Sequence, residues 1–324
     1  MKPHEEMDFL RTARERFARA MDHDRSNREE ALDDLKFRGG EQWHEADRQV
    51  RANRPCLTIN RMPQFVRQVT GDIRINRPSI KVRPVDSVSD PKLAEVYTGL
   101  IRHIEAISDA QSAYVCAAEG SATCGMGAFR LVTDYSADDS FEQDIFIRRI
   151  PNVFAVVWDP ASNELTREDA NWCFVTDEMQ EDDFRAQWPD ASLSGWDHEE
   201  LTDDLRDWYR NKTVRVCEYW VKKPVTKTLW LMTDGTVLDM TDRSDADKDI
   251  LRSVLVRERV AKSHTVCSYL ISGTDILEGP MEWPGKHIPI IPVWGEEVHI
   301  GERTVRHGVI RHAKDPQRML NFMR

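Results

Sequence analysis

The sequence predicts an α+β fold, and three observations carry that prediction. Apolar residues recur at helical spacing through roughly the first 120 residues, then give way to short runs rich in β-branched and aromatic side chains. A Pro/Gly-rich stretch at 279–295 closes the strand-rich part, and one more helical pattern follows at 308–324. The expected arrangement is amphipathic helices packed on short, mixed or antiparallel strands.

The elements follow in order. Residues 5–38 read as a charged helix carrying Met7, Leu10, Phe17, Met21, Leu32 and Leu35, stopped by Gly39-Gly40. A linker with Trp43 leads to an extended piece, Cys56 to Ile59. Asn60 then caps a helix whose apolar residues Met62, Phe65, Val66, Val69 and Ile73 share one face. Pro78 ends it, and Ser79 to Val85 form a second extended piece. Pro91 opens the next helix, with Leu93, Val96, Tyr97, Leu100, Ile101, Ile104 and Ile107 on one face and a break near Ser108 before it continues towards Glu119. Strands are expected at 127–135, 144–150, 154–158, 172–176, 213–221, 228–232 and 264–271, with a partly helical charged segment at 242–262. The helices of 60–77 and 91–119 should pack on the strands between 127 and 176 as one body. By domain, this reads as a helical segment at 1–45, an α/β body at 46–305, and a terminal helix from 306. That helix reaches residue 324 without a stop signal, the pattern of a chain cut from a longer one.

With 324 residues, 40% of them hydrophobic and 31% charged, the chain has the composition of a globular protein. No apolar run approaches a membrane span, and the N-terminus has no apolar signal core. Six cysteines without a C-x-x-C pair fit reduced thiols rather than a disulfide framework or zinc knuckle. A net charge of -11 argues against a protein that grips DNA phosphates, since such binding is driven by counterion release at a basic face.

Motifs for chemistry fail on inspection. The segment Gly279 to His287 has one residue too many for a phosphate loop and a histidine where Ser or Thr belongs. Arg130 takes the third glycine position of a dinucleotide pattern starting at Gly125. Asp245, Asp247 and Asp249 alternate like calcium ligands, but Ile250 and Val256 replace the loop's glycine and glutamate. His307 and His312, five apart, do not share a helix face as an i, i+4 metal pair would. No G-x-S-x-G elbow is present, and no carboxylate spacing supports a metal-dependent hydrolase. The expectation is a non-enzymatic protein without cofactor or metal.

The most specific wording in the chain is RPCLTINRMPQFVRQVTGDIRINRPSIKVRPVD, residues 54–86. It resembles a block near the N-terminus of the portal (head-to-tail connector) proteins of short-tailed, lambdoid double-stranded DNA phages, through Leu57 to Arg61, Pro63, Val66, Gln68, Val69, Gly71, Asp72 and Asn76 to Val82. The likeness continues in residues 94–120, in Trp158-Asp159-Pro160, in Arg167, Asp169, Ala170 and Trp172, in Ile288 to Val293, and in Gly308 to Arg318 with Asn321. The resemblance implies the wing region of a portal, with the terminal helix leading into the stem. It further implies a homo-oligomeric ring, a dodecamer, at one capsid vertex of the virion, made in the bacterial host's cytoplasm. Through that ring double-stranded DNA is packaged and ejected without sequence-specific binding. The implied partners are the terminase large subunit, capsid and scaffolding proteins and a tail adaptor; no membrane is involved. The alternative is a prophage remnant that folds but does not assemble. Candidate interface residues are Arg67, Arg74, Arg77, Lys81, Trp188 and Trp196. Because aromatic residues favour interface cores, at least two of Trp43, Trp188, Trp196, Trp230, Trp283 and Trp294 should be substantially exposed or at a chain contact.

Overall fold

The structure is a computed structural model that describes residues 3–51, 54–77, 79–85, 90–191, 209–210, 212–301 and 303–323. It is α+β, and the chain divides into two compact units. The stretch 46–305, expected as one body, contributes to both.

The smaller unit takes Met1–Ala18 and Ala170–Ile288. The helix α1 (Pro3–Gly39) supplies its first half. Its strands are β4 (Trp172–Gln180), β5 (Tyr209–Arg210), β6 (Thr213–Met232), β7 (Val237–Asp239), β8 (Leu255–Ile271) and β9 (Ile276–Trp283), with α6 (Glu181–Gln187) and α7 (Asp245–Leu251) between them. Strands run antiparallel in the order β4-β6-β8-β9, while β5 and β7 also pair with β6. Both faces at the wide end are covered. Phe17 of α1 meets Phe174 edge-on at 5.4 Å, and Phe174 stacks on Tyr219 at 4.4 Å. On the other side Phe184 of α6 packs on Val214 and Val216. Double coverage explains why Trp172, Cys173 and Phe174 are consecutive buried residues rather than an alternating strand.

Two strands run longer here than the sequence suggests, for identifiable reasons. The sequence breaks β6 around Pro224, yet the strand is continuous. Pro224 pairs only with His264 of β8, beyond the end of β4 at Val221, so its missing amide faces an unpaired edge. Strand β8 begins at Leu255, inside the segment read as partly helical; only Asp245–Leu251 and a short 3-10 turn are helical there. Residues 256–260 of β8 are exposed on both faces, so no alternation marks them as a strand.

The larger unit takes Arg19–Asp169 and Pro289–Arg324. It holds the second half of α1, then α2 (Glu45–Val50), α3 (Met62–Ile75), α4 (Pro91–Ile107), α5 (Ala110–Cys124), β1 (Met126–Tyr135), β2 (Gln143–Arg149) and β3 (Val156–Trp158), and later β10 (Ile290–Trp294), β11 (Glu296–Ile300), β12 (Arg303–His307) and α8 (Val309–Met323). A three-stranded antiparallel sheet has the order β10-β1-β2, and β11 and β12 form a hairpin. Helices α3, α4 and α5 share this unit with β1 and β2, while the strand from Trp172 is grouped with the other unit.

Helix α5 is the spine. Its small residues Ala110, Ala113, Ala117 and Gly120 to Cys124 are buried, letting strands and helices approach closely. The break before it falls where the sequence places it: Asp109 is left-handed (φ 46°), and Ser108 Oγ accepts the Ile147 amide. Gly125 ends α5 at φ 85°, a backbone setting that L side chains avoid. Around α3 the core consists of Phe37, Met62, Val66, Ala122 and Ile310. Asn60 is not the formal cap, since Arg61 holds that place in helical geometry with Pro63 in the first turn. The Asn60 side chain still accepts the Met62 amide at 3.0 Å and donates to Arg38 O. The extended pieces 56–59 and 79–85 join no sheet. Ile59 instead satisfies its backbone through side chains of α8, donating to Asn321 Oδ1 and accepting from Gln317 Nε2.

Candidate assembly surface

Helix α4 buries much less of its apolar face than its periodicity predicts. Ala94 is buried, and Ile104 packs against Ala110, Ala113 and Ile147. Leu93, Val96, Leu100 and Ile107, spaced 3, 4 and 7 apart, form a separate stripe, with Val96 64% and Leu100 50% exposed. Tyr97 beside them is also exposed. The helix therefore carries two apolar seams, one fixed to its own unit and one facing outward. Helix α3 repeats the arrangement: Met62, Val66 and Thr70 point inward, whereas Phe65, Val69 and Ile75 are exposed. Isolated exposed aliphatics need no explanation, but a helical stripe of them marks a surface made to be covered.

Basic groups accompany these stripes. Arg67 and Arg74 are exposed on α3, and Arg77 and Lys81 are exposed just after it. Lys81 lines a shallow groove of about 370 Å³ with Val82, Arg83, Glu95, Thr98 and Arg102, in which Thr98 Oγ1 accepts the Val82 amide. Of the other two candidates, Trp188 is half-buried, its ring 5.3 Å from that of Phe184, and Trp196 lies outside the described residues. Among the tryptophans, Trp43 and Trp230 are buried, and Trp188, Trp283 and Trp294 are half-buried. None of those five is exposed. Their polar tips and faces have internal uses; Trp294 donates to Leu165 O and lies under the guanidinium groups of Arg167 and Arg306. Aliphatic side chains carry the outward-facing surface instead.

Behind the stripes the unit is tied by buried polar networks. Asp34, fully buried on α1, takes a forked pair of bonds from Arg311 and a contact from Lys314 Nζ at 2.6 Å. Lys314 also pairs with Asp33. Burial works against the charge of Asp33, but the Lys314 hydrogen bond, with Lys314, Arg318 and His44 as neighbours, holds its carboxyl below the usual range. Gln42, Asn60, Gln317 and Asn321 form a second network joining the end of α1 to α8. Arg311, Lys314, Gln317 and Asn321 entered the sequence reading only through the terminal block, Asn60 through its cap position, and Asp33, Asp34 and Gln42 not at all, because hydrogen-bond networks leave no periodic signal.

A cleft of about 670 Å³ is lined by Asp24, Asn27, Arg28, Arg167, Trp294 and Arg306 among others. Three of its arginines are engaged in the protein: Arg28 donates to Phe154 O and Val156 O, Arg167 to Ser162 O, and Arg306 to Glu297. Burial, with Arg306 nearby, pulls the Arg167 pKa down. These three side chains brace the walls of the cleft.

The rejected motifs occupy ordinary structural roles. Gly279 to Trp283 lie within β9. Asp245, Asp247 and Asp249 sit in α7, whose Ser244 cap accepts the Asp247 amide. His307 and His312 differ from the sequence reading. His307 is the last residue of β12, not part of the helix, and its ring centroid lies 4.5 Å from that of His312.

Comparison with known proteins agrees with the resemblance carried by residues 54–86. A family model described as phage P22-like portal protein matches residues 14–324. The portal protein of Acyrthosiphon pisum secondary endosymbiont phage 1 is 29% identical over 286 residues, covering 83% of this chain. The matched part is 39% of that relative's length.

Proposed function

The chain belongs to the phage P22-like portal protein family, and we propose that it acts as a ring-forming structural subunit, with the outward stripe of α4 as a contact to a second copy. The family is structural, not an enzyme family. The observation that supports this use of α4 is the stripe of Leu93, Val96, Leu100 and Ile107, flanked by arginine and lysine side chains. Interface cores favour such apolar groups, with arginine enriched around them. A ring requires a heterologous contact, so the stripe of one copy meets a different surface on the next.

In this reading twelve copies surround a channel at one capsid vertex of the virion after synthesis in the host cytoplasm. Double-stranded DNA passes during packaging and ejection, while terminase, capsid, scaffolding and tail-adaptor proteins dock on the ring. The net charge of -11 fits a conduit, because a wall without a basic face forms no long-lived phosphate contacts. No described helix is long and apolar enough to cross a membrane.

The test is a Val96→Glu, Leu100→Glu double variant. Each side chain is already about half exposed, so completing its burial is worth about 1 kcal/mol, and two desolvated carboxylates add a larger penalty. Sedimentation velocity should show oligomers for the parent chain and monomers for the variant, with unchanged thermal unfolding of the monomer. A variant that assembles like its parent, or a parent that stays monomeric at every concentration, overturns this role for α4.

A further inference from the structure

We propose that Glu296, His307 and His312 form a binding site for a divalent first-row transition-metal ion of the zinc type. One ligand atom from each lies within 4.8 Å of the others. The chain path explains the meeting. Glu296 and His307 are directly opposed residues of the β11–β12 hairpin, so their side chains share a face. Helix α8 starts at Val309, and His312 comes from its first turn. The five-residue separation that excludes a shared helix face therefore does not apply, because only one of the two histidines is helical.

A second observation points to a ligand. His307 is 6% exposed, and its Nδ1 has no hydrogen-bond partner. A buried ring nitrogen left unpaired is costly, and such an atom calls for an occupant. Glu296 Oε2 lies 4.0 Å from it, too far for a hydrogen bond. That gap is close to what an ion needs: two ligand atoms each about 2.1 Å from a zinc lie roughly 3.4 Å apart at the tetrahedral angle. Small rotations of the exposed Glu296 and His312 side chains close the difference.

The scaffold around His307 is stiff. A Cβ on Gly295 would approach His307 O to 2.5 Å, and one on Gly308 would meet Ala122 O at 2.3 Å, so the flanking backbone is packed against its neighbours. A site with one rigid and two adjustable ligands binds without rearranging the fold. Two imidazoles and one carboxylate suit zinc, cobalt or nickel, whereas calcium and magnesium demand oxygen ligands. Three protein ligands leave the fourth position to water. The bound ion would clip the β11–β12 hairpin to the start of α8.

Calorimetric titration of the intact chain with zinc, and optical titration with cobalt, test the proposal. One equivalent should bind, the cobalt spectrum should be that of a four-coordinate nitrogen/oxygen site, and calcium should not compete. His312→Ala and Glu296→Gln, both at exposed positions, should each weaken binding by about 100-fold or more. Zinc should raise the melting temperature of the parent but not of His312→Ala. Absence of stoichiometric binding, retention of full affinity in both variants, or a thiolate charge-transfer band assigning the ion to cysteine would each overturn the site.

Discussion

Replacing Asp34 with alanine tests what holds α8 in place. The carboxylate is fully buried; Arg311 Nη2 donates to it at 2.8 Å and Nε at 3.1 Å, and Lys314 adds its ammonium at 2.6 Å. Burial lowers the Arg311 pKa, but the Asp34 and Glu30 carboxylates outweigh it, so the guanidinium is held charged above its usual value. Without Asp34, a largely buried guanidinium and ammonium lose their shared counter-charge. Truncating one partner of a buried pair costs about 3–5 kcal/mol. Glu30 and Asp33 remain as more exposed partners, which places the loss at the lower end, about 3 kcal/mol. In a unit of roughly 150–250 residues that lowers the melting temperature by about 6–12 °C. Calorimetry reads the shift, and amide exchange should accelerate in α8 and in the second half of α1. An Asp34→Ala, Arg311→Ala double variant should recover at least about 1 kcal/mol relative to additive costs. A single variant losing less than about 1 kcal/mol, or a strictly additive double variant, would refute this account.

Three further outcomes follow from local geometry. Gly127→Ala should destabilise by at least about 3 kcal/mol in chemical denaturation, since its Cβ would come within 2.0 Å of Ala117 O on the packed face of α5. Burial, with Glu105 beside it, pushes the Tyr114 pKa to about 12; the folded state favours the neutral phenol, so this stabilisation is complete below pH 10 and is lost as pH rises from about 10 to 12. Tyr114→Phe should flatten that alkaline loss in pH-dependent unfolding. Iodoacetamide at mildly alkaline pH should label half-buried Cys56 and Cys116 well before Cys124, Cys173, Cys217 and Cys267, which are buried; burial pushes the Cys124 pKa to about 11 and raises that of Cys173 further from its usual value. Equal labelling of all six in the folded chain contradicts the placement of those four.

The fold was legible where one physical rule acted alone. Pro91, the break near Ser108 and the apolar spacing of α3 and α4 place those helices correctly, because helix boundaries and periodicity are local properties. The exposed half of β8 and the edge position of Pro224 were hidden, since both depend on which strand lies alongside. Strands β9 and β10 were missed because proline and glycine at 279–295 read as a loop, and β11 and β12 just beyond it were not read as strands. For the assembly surface, spacing identifies the apolar residues of α4 but cannot say which seam is covered at home. For the histidines, sequence distance misled because a strand ends and a helix begins between them, and only the turn at Gly308 brings the two rings together.

The exposed half of β8 bears on how copies can join. Residues 257–264 pair with β6 along one edge, and among the described residues no strand pairs along the other. Such an edge is a template on which a second chain could add its own backbone. Here Arg257, Glu258, Arg259 and Lys262 line it, and a strand laid alongside would have to strip water from that row of charges. A chain at high concentration is thereby steered away from open-ended ribbon growth. Contacts made through side chains of a helix can close on themselves at a fixed number of copies; a growing sheet has no such count.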